Sequence, residues 1–313
     1  MEFFSKKTNI DFLGRRKAAF LFSAVLMVGS LILLIPGVRG LNFGIDFTGG
    51  VLVEVAYQGP ADLPDIRERL AANGFPDAQV QNFGTSSDVL IRILPREGLA
   101  GQAIANQMLA VLKQGETSAE LRRTEFVGPQ VGEELTEQGA LAMLFAMLMI
   151  LAYIMLRFQW KFAVGAIVAT LHDPIITLGF FALTGLTFDL SVLAAMLAVV
   201  GYSVNDTIVV FDRIRENFRK IRRGTPLDII NLSVNETLSR TIMTSFTTSL
   251  VVIAMLLFGG ETLRGFSTAL IIGIVIGTYS SIFIASALAL ELKASPVDLL
   301  PPAKEKGEVD SLP

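Results

Sequence analysis

Long uninterrupted apolar runs, rather than alternating apolar and polar positions, dominate the chain. Six of them, at roughly 18–38, 139–156, 162–186, 190–211, 241–258 and 266–290, predict helices that cross a membrane. Each reaches or approaches the ~20 residues an α-helix needs to traverse ~30 Å of hydrocarbon. Between the first and second runs the rhythm changes. Positions 51–57 (VLVEVAY) alternate as a strand does, and 61–73 opens with the helix-start residues Asp62, Pro64 and Asp65 and closes at Gly74. Positions 78–83 and 89–94 predict two strands joined by GTSSD as a hairpin loop. A second helix is expected over 98–114 and a last strand over 120–127 (ELRRTEFV). Strand, helix, strand, strand, helix, strand is the order of a split βαβ, ferredoxin-like sandwich. A domain of about 80 residues buries only a modest core, so the membrane base is expected to steady it.

The chain therefore divides into an N-terminal segment 1–17, a first span 18–38, an αβ domain 39–137, five further spans within 138–290 and a tail 291–313. The tail carries Pro296, Pro301, Pro302 and a KEKGEVD run, the composition of a mobile end. Within the span block, 212–236 mixes charges with Ile214, Phe218 and Ile221 at helical spacing, which predicts an amphipathic helix on the membrane surface. Gly224-Thr225-Pro226 breaks it, and Thr225 is placed to cap a second short helix. The FGIDFTGG run (43–50) has no GK[ST] and follows no strand, so it is not a phosphate loop; it is expected to lead the chain from the first span into the sheet.

Lys and Arg set an orientation. Lys6, Lys7, Arg15, Arg16 and Lys17 precede the first span, which ends in IPGVRG without a small-x-small cleavage site and is read as an uncleaved anchor. With six spans, the RFQWK turn (Arg157, Lys161) and the connection bearing Arg213, Arg215, Arg219, Lys220, Arg222 and Arg223 fall on the same side as that basic segment. Both termini are thus expected in the cytoplasm, and the αβ domain, with 14 acidic and 7 basic residues over 41–137, on the far side. Trp160 fits an interfacial anchor.

Composition narrows the chemistry. Apolar residues make up 52% and charged residues 18%, with mean hydropathy +0.57. The net charge of −3 offers no basic face to nucleic acid. The chain lacks cysteine, which excludes disulfides and thiolate metal sites, and its one histidine, His172, excludes His-rich clusters. No Ser–His–Asp constellation is visible with that histidine inside a span, and no cofactor is implied.

Three polar features interrupt the apolar runs: Asp206 beside Asn205 in the fourth, Arg240 at the start of the fifth, and His172-Asp173-Pro174 in the third. A charged side chain at mid-bilayer costs roughly 2.5–3.5 kcal/mol on insertion scales. Asp206 precedes the charged Asp212 by six positions and Arg240 follows Glu236 by four, which at ~1.5 Å per residue puts them about 9 and 6 Å in from the same face. At matching depth they are expected to face one another or share a water-filled cavity. Two roles fit: an ion pair that fixes helix register, or a protonation switch in which movement of the arginine lets the carboxylate take or release a proton. His172 and Asp173 read either as a helix-packing knot at a proline kink or as a second member of a proton path. Gly273-x-x-x-Gly277 predicts close helix packing, and the hydroxyl-rich fifth span (Ser239, Thr241, Thr244, Ser245, Thr247, Thr248, Ser249) supplies interhelical hydrogen bonds or holds water near Arg240.

VRGLNFGIDFTGG, EFVGPQVGEEL, HDPIITLG and GYSVNDTIVVFDRIRENFRKIRRGTP together resemble the bacterial SecF family, over about 38–290. The resemblance implies an α-helical membrane protein of six transmembrane helices, half of an RND-type transporter, with a small ferredoxin-like periplasmic domain. It implies an inner-membrane subunit that pairs with SecD and works with the SecYEG channel, and with YajC and YidC, on a translocating preprotein, using the proton gradient. The family's essential membrane Asp and Arg correspond to Asp206 in VNDT and Arg240 in LSRT; Asn205, His172 and Asp173 are weaker candidates. The alternatives are an RND-like exporter of small molecules or lipids, which predicts a larger external domain, and a passive scaffold subunit.

Overall fold

The computed structural model describes residues 8–94, 101–113, 119–221 and 223–295. Lys6, Lys7, Arg222 and nearly all of the tail lie outside them, as do the ends of the helix expected over 98–114. In chain order the elements are α1 (Arg16–Leu34), β1 (Asn42–Phe43), α2 (Ile45–Thr48), β2 (Gly50–Ala56), α3 (Leu63–Ala72), β3 (Gln79–Phe83), β4 (Thr85–Ile93), α4 (Gly101–Lys113), β5 (Glu120–Val127), α5 (Pro129–Arg157), α6 (Trp160–Thr184), β6 (Thr187–Phe188), α7 (Leu190–Lys220), α8 (Pro226–Phe258), α9 (Gly260–Ser280), a π turn (Ser281–Ala285) and α10 (Ser286–Glu291). The last three form one span. With α1, α5, α6, α7 and α8 it makes six helices long and apolar enough to cross a membrane.

Several boundaries move for local reasons. The first span ends at Leu34 rather than near residue 38, because Ile35 precedes Pro36 and adopts extended backbone. Of GTSSD only Gly84, with φ +78°, makes the turn; Thr85 already begins β4. Residues 212–236 do not form a surface helix. The fourth span continues unbroken to Lys220, and the fifth begins at Pro226 behind a capping box of Thr225 and Asp228. Their inner faces, Ile214, Phe218, Ile229, Ile230 and Val234, are buried in one cluster with Phe158, Phe162 and Phe211. The apolar spacing that predicted a membrane-surface helix instead packs two helix extensions together.

The αβ domain has strand order β3-β4-β2-β5, antiparallel throughout, which is the connectivity of the split βαβ sandwich. Alternation sorts its faces. Val51, Val53, Val55, Val89, Ile91 and Ile93 are buried against Ile66, Leu70, Ile104, Met108 and Leu112 of the two helices. The other face carries Leu52, Leu90, Arg92 and Glu125 and looks across a cavity of about 540 Å³ onto the base.

The domain meets the base mainly around β1, and its β3–β4 turn also approaches α9, where a Cβ on Gly84 would lie 3.3 Å from Glu261 Cγ. β1 pairs in parallel with β6, Asn42 with Thr187 and Phe43 with Phe188. Leu190 N donates to Asp46 Oδ2 at 3.0 Å. Arg92 reaches back to Thr48 Oγ1 (2.9 Å) and Asn42 Oδ1 (3.4 Å), and its burial there lowers its pKa from the ordinary arginine value. FGIDFTGG is thus the clip that links first span, base and sheet. Its exit is tight: Gly49 and Gly50 have φ of +67° and +125°, and a Cβ on Gly132 of α5 would lie 2.8 Å from Gly49 N. Only Gly128 separates β5 from α5.

In the base, α9 lies close against α7. A Cβ on Gly273 would sit 2.1 Å from Val199 Cγ2, and one on Gly277 would sit 3.0 Å from Ser203 Cβ. The GxxxG pair therefore packs helices, as its spacing predicts. Gly29 in α1 has nothing within 4 Å of such an atom. Gly273→Ala is expected to destabilise the protein by about 1–3 kcal/mol through overpacking. Gly29→Ala should be neutral or stabilising by up to about 1 kcal/mol through helix propensity. Thermal unfolding in detergent, or resistance to proteolysis, checks the contrast.

Candidate functional site

Asp206 sits in the middle of α7 at 8% exposure. Its two oxygens are held by two other helices. Thr241 of α8 donates to Oδ1 at 2.6 Å, and Ser281, the first residue of the π turn, donates to Oδ2. One helical turn away, Ser203 of α7 donates to Asp173 Oδ2, and Ser280 of α9 donates to the same oxygen at 2.8 Å. Asp173 is fully buried, and its Oδ1 lies 2.9 Å from His172 Nδ1. Consecutive serines thus serve two carboxyl groups on different helices. They do so because successive helical residues point about 100° apart, so Ser280 faces α6 where Ser281 faces α7.

Each of these serines has a second acceptor. Ser281 Oγ lies 3.1 Å from Thr278 O, and Ser280 Oγ lies 3.1 Å from Gly277 O. A hydroxyl is both donor and acceptor, whereas an ionised carboxylate only accepts. If Asp206 takes a proton, Ser281 can accept from it and turn its own hydrogen to the Thr278 carbonyl. The cluster therefore accommodates either protonation state without an orphaned donor. Ser281 opens the π turn, a helix irregularity that recurs at functional sites.

Arg240 makes no hydrogen bond or ion pair with Asp206 among the described residues; it is exposed, and its charge acts on Asp206 from a distance. Asn205 is exposed too, and with Arg240, Thr244 and Thr247 it marks polar positions on the outer surface of α7 and α8. His172 is 3% exposed, with Nε2 unpartnered and its ring 6.3 Å from that of Tyr279. Tyr279 ties the last span to α1 through Ala19 O (2.9 Å) and Ser23 Oγ (3.0 Å). Thr241 lies in the hydroxyl-rich segment that the sequence singles out. Ser203, Ser280 and Ser281 escape that reading; the available signal was hydroxyls inside otherwise apolar runs (GYSVND, GTYSS).

Toward the α5–α6 turn lies a charged collar. Arg157 bonds both oxygens of Asp212 (2.9 and 2.8 Å), Arg213 bridges Glu216 and Glu236 at 2.7 Å each, and Asn217 reaches Ser233 (3.0 Å) and Glu236 (2.7 Å). No group of three or more metal-ligating side chains is found among the described residues.

Residues 107–295 match the family model for the C-terminal part of the protein export membrane proteins SecD and SecF, and residues 35–61 match the SecD/SecF GG motif, which contains the glycine exit described above. The chain is 51% identical over 308 residues to the protein translocase subunit SecF of Vibrio alginolyticus, covering 97% of each chain. It is 48% identical over 307 residues to that of Pseudomonas aeruginosa, covering 97% of this chain and 98% of the relative. Among solved structures it is similar to SecDF of Thermus thermophilus, described as a translocon-associated membrane protein, with TM-score 0.82 and 36% identity over 91% of this chain. It is also similar to SecDF in a super-membrane-facing form, with TM-score 0.67 over 93% of this chain. The chain spans 39% of either of those structures' chains.

Thr241→Val keeps the shape of the side chain but leaves Asp206 Oδ1 without its donor, which should cost about 1–3 kcal/mol. Thr244 bonds only backbone carbonyls of its own helix, so Thr244→Val should cost less than about 0.5 kcal/mol. Equal unfolding midpoints for the two variants would show that the Thr241–Asp206 bond contributes nothing.

Proposed function

The chain belongs to the SecF family, a subunit of the SecDF protein translocase, and from that footing we propose that proton movement through Asp206 drives its part in moving preproteins across the membrane. The observation that carries this reading is the setting of Asp206. It is a buried carboxyl group inside a span, its direct partners are two hydroxyls, and the charge of Arg240 acts on it without contact. Approach of the guanidinium favours the carboxylate, and withdrawal favours the acid. Ser281 turns between the two as described. A proton crossing the membrane potential releases about 2.3 kcal/mol per 100 mV, enough over several protons to drive a conformational cycle.

In this reading the charged collar and both termini face the cytoplasm and the αβ domain stands in the periplasm, as the distribution of Lys and Arg favours. SecD covers the polar outer surface at Asn205, Arg240, Thr244 and Thr247, since lipid satisfies none of these groups. The larger remainder of the SecDF chains supports a partner of that size. The αβ domain acts on the preprotein emerging from the SecYEG channel, with YajC and YidC as further neighbours. Two solved forms that differ in TM-score at the same 36% identity support a molecule with more than one arrangement. His172 and Asp173 join the proton path on the side toward the α6–α7 connection.

One observation favours a second reading. Asp206 hydrogen-bonds across three helices, which is what a scaffold needs to fix its packing. Asp206→Asn separates the two. With normal insertion and assembly, export in that variant should lose its dependence on the proton gradient, and proton conductance of the reconstituted complex should fall at least about tenfold, a barrier change of about 1.4 kcal/mol. Unimpaired gradient-dependent export in an assembled Asp206→Asn complex would leave only the scaffold.

A further inference from the structure

The proton-driven reading uses Asp206, but the more completely buried ionisable pair is His172–Asp173. Asp173 Oδ2 already accepts from two hydroxyls, Ser203 and Ser280. Its Oδ1 faces His172 Nδ1 at 2.9 Å. An ionised Asp173 has no hydrogen to offer, so the tautomer that suits it puts the imidazole proton on Nδ1 and leaves Nε2 as the free base. That nitrogen is buried and has no partner among the described residues. A buried acceptor without a donor is costly unless it serves a purpose. Here it is the basic atom of the side chain best suited to take up a proton near neutral pH.

We propose that His172 Nε2 is a second proton-accepting site, fixed as the free base by Asp173 and coupled to Asp206 across the Ser280–Ser281 step. The step balances simply. One proton adds at Nε2, the imidazole becomes imidazolium, and its Nδ1–H and the Asp173 carboxylate stay as they were. The resulting ion pair is neutral overall, which is why Asp173 makes the uptake affordable in a dry interior. The coupling follows from adjacency. Ser280 serves Asp173 and Ser281 serves Asp206, at the junction of α9 and the π turn, so re-aiming one hydroxyl disturbs the backbone that aims the other.

The groups facing the imidazole come from few elements. The last span contributes the Tyr279 ring, whose hydroxyl is committed to Ala19 O and Ser23 Oγ of α1. α7 contributes Ser203, which donates to the Asp173 carboxyl group one turn before Asp206. Among the described residues, α5 and α10 place no ion pair or hydrogen bond on His172 or Asp173. Asp206 is the anion outside the pair that the Ser280–Ser281 step links to His172 and Asp173. Its negative charge favours the imidazolium, so neutralising Asp206 must make His172 harder to protonate.

The proposal rests on the proton-driven reading for its purpose but not for its test. Nitrogen-15 NMR of the SecDF complex labelled at histidine and held in lipid reports the imidazole directly. The chain has one histidine, so its signals are identified by their loss in His172→Gln. The expected result is a neutral imidazole with a bare Nε2 at high pH that becomes doubly protonated on acidification. In Asp206→Asn the midpoint should move to lower pH, because a neighbouring negative charge is lost. An imidazole that keeps one protonation state throughout, or a midpoint that Asp206→Asn leaves unchanged, overturns the proposal. If Asp206→Asn does not assemble, Ser281→Ala makes the same comparison with both carboxyl groups in place: a moved midpoint supports the coupling and an unmoved one refutes it. The readout is a protonation state rather than export, so its failure leaves proton-driven export through Asp206 standing, and failure of that export test leaves the titration measurable.

Discussion

A carboxyl group in hydrocarbon has to find every partner within the protein, because no water waits at that depth to replace a missing one. Much of the base follows from that constraint. Asp206 and Asp173 draw hydroxyls from α7, α8, α9 and the π turn into one polar seam, and the apolar residues pack around it. The bonds specify register. A shift of one residue along the last span would carry Ser280 and Ser281 about 100° around the axis and leave both carboxyl groups unserved.

The seam also explains why small residues line it. Hydroxyls on short side chains reach a neighbouring helix only when the backbones come close, and Gly273 and Gly277 bring α9 onto Val199 and Ser203 of α7. Gly277 does double duty, since a Cβ there would also lie 3.4 Å from Asp173 Oδ2. Packing and polar chemistry are thus one arrangement. The glycines set the distance, and the serines use it.

Much of this was legible in the chain itself, for reasons tied to particular residues. Six apolar runs gave six spans because length and hydropathy are direct physical requirements of the bilayer. The αβ domain followed from its alternation and from Asp62, which caps α3 as its position predicts. Asp206 stood out because carboxylates are rare in such runs. Ser203, Ser280 and Ser281 did not, because serine is unremarkable in a membrane helix and only the fold reveals which face it presents. The π turn has no composition of its own. Residues 212–236 misled because helical apolar spacing reports a buried face without saying whether lipid or another helix buries it. The depth argument placed Asp206 and Arg240 at one level, but depth says nothing about rotation around each helix, and it is rotation that leaves Arg240 on the outer surface.

The join between domain and base has a mechanical consequence. β5 passes into α5 through Gly128 alone, Pro129 stiffens the first turn of the helix, and α5 rests by Gly132 on the backbone at Gly49, where the chain first enters the sheet. The incoming and outgoing strands therefore start side by side, Gly50 opposite Val127, and β2 and β5 are hydrogen-bonded neighbours from that pair onward. A rod seated on a pivot with no slack behaves as a lever. Any tilt of the 29-residue α5 would therefore reach the sheet first at the pairing of β5 with β2.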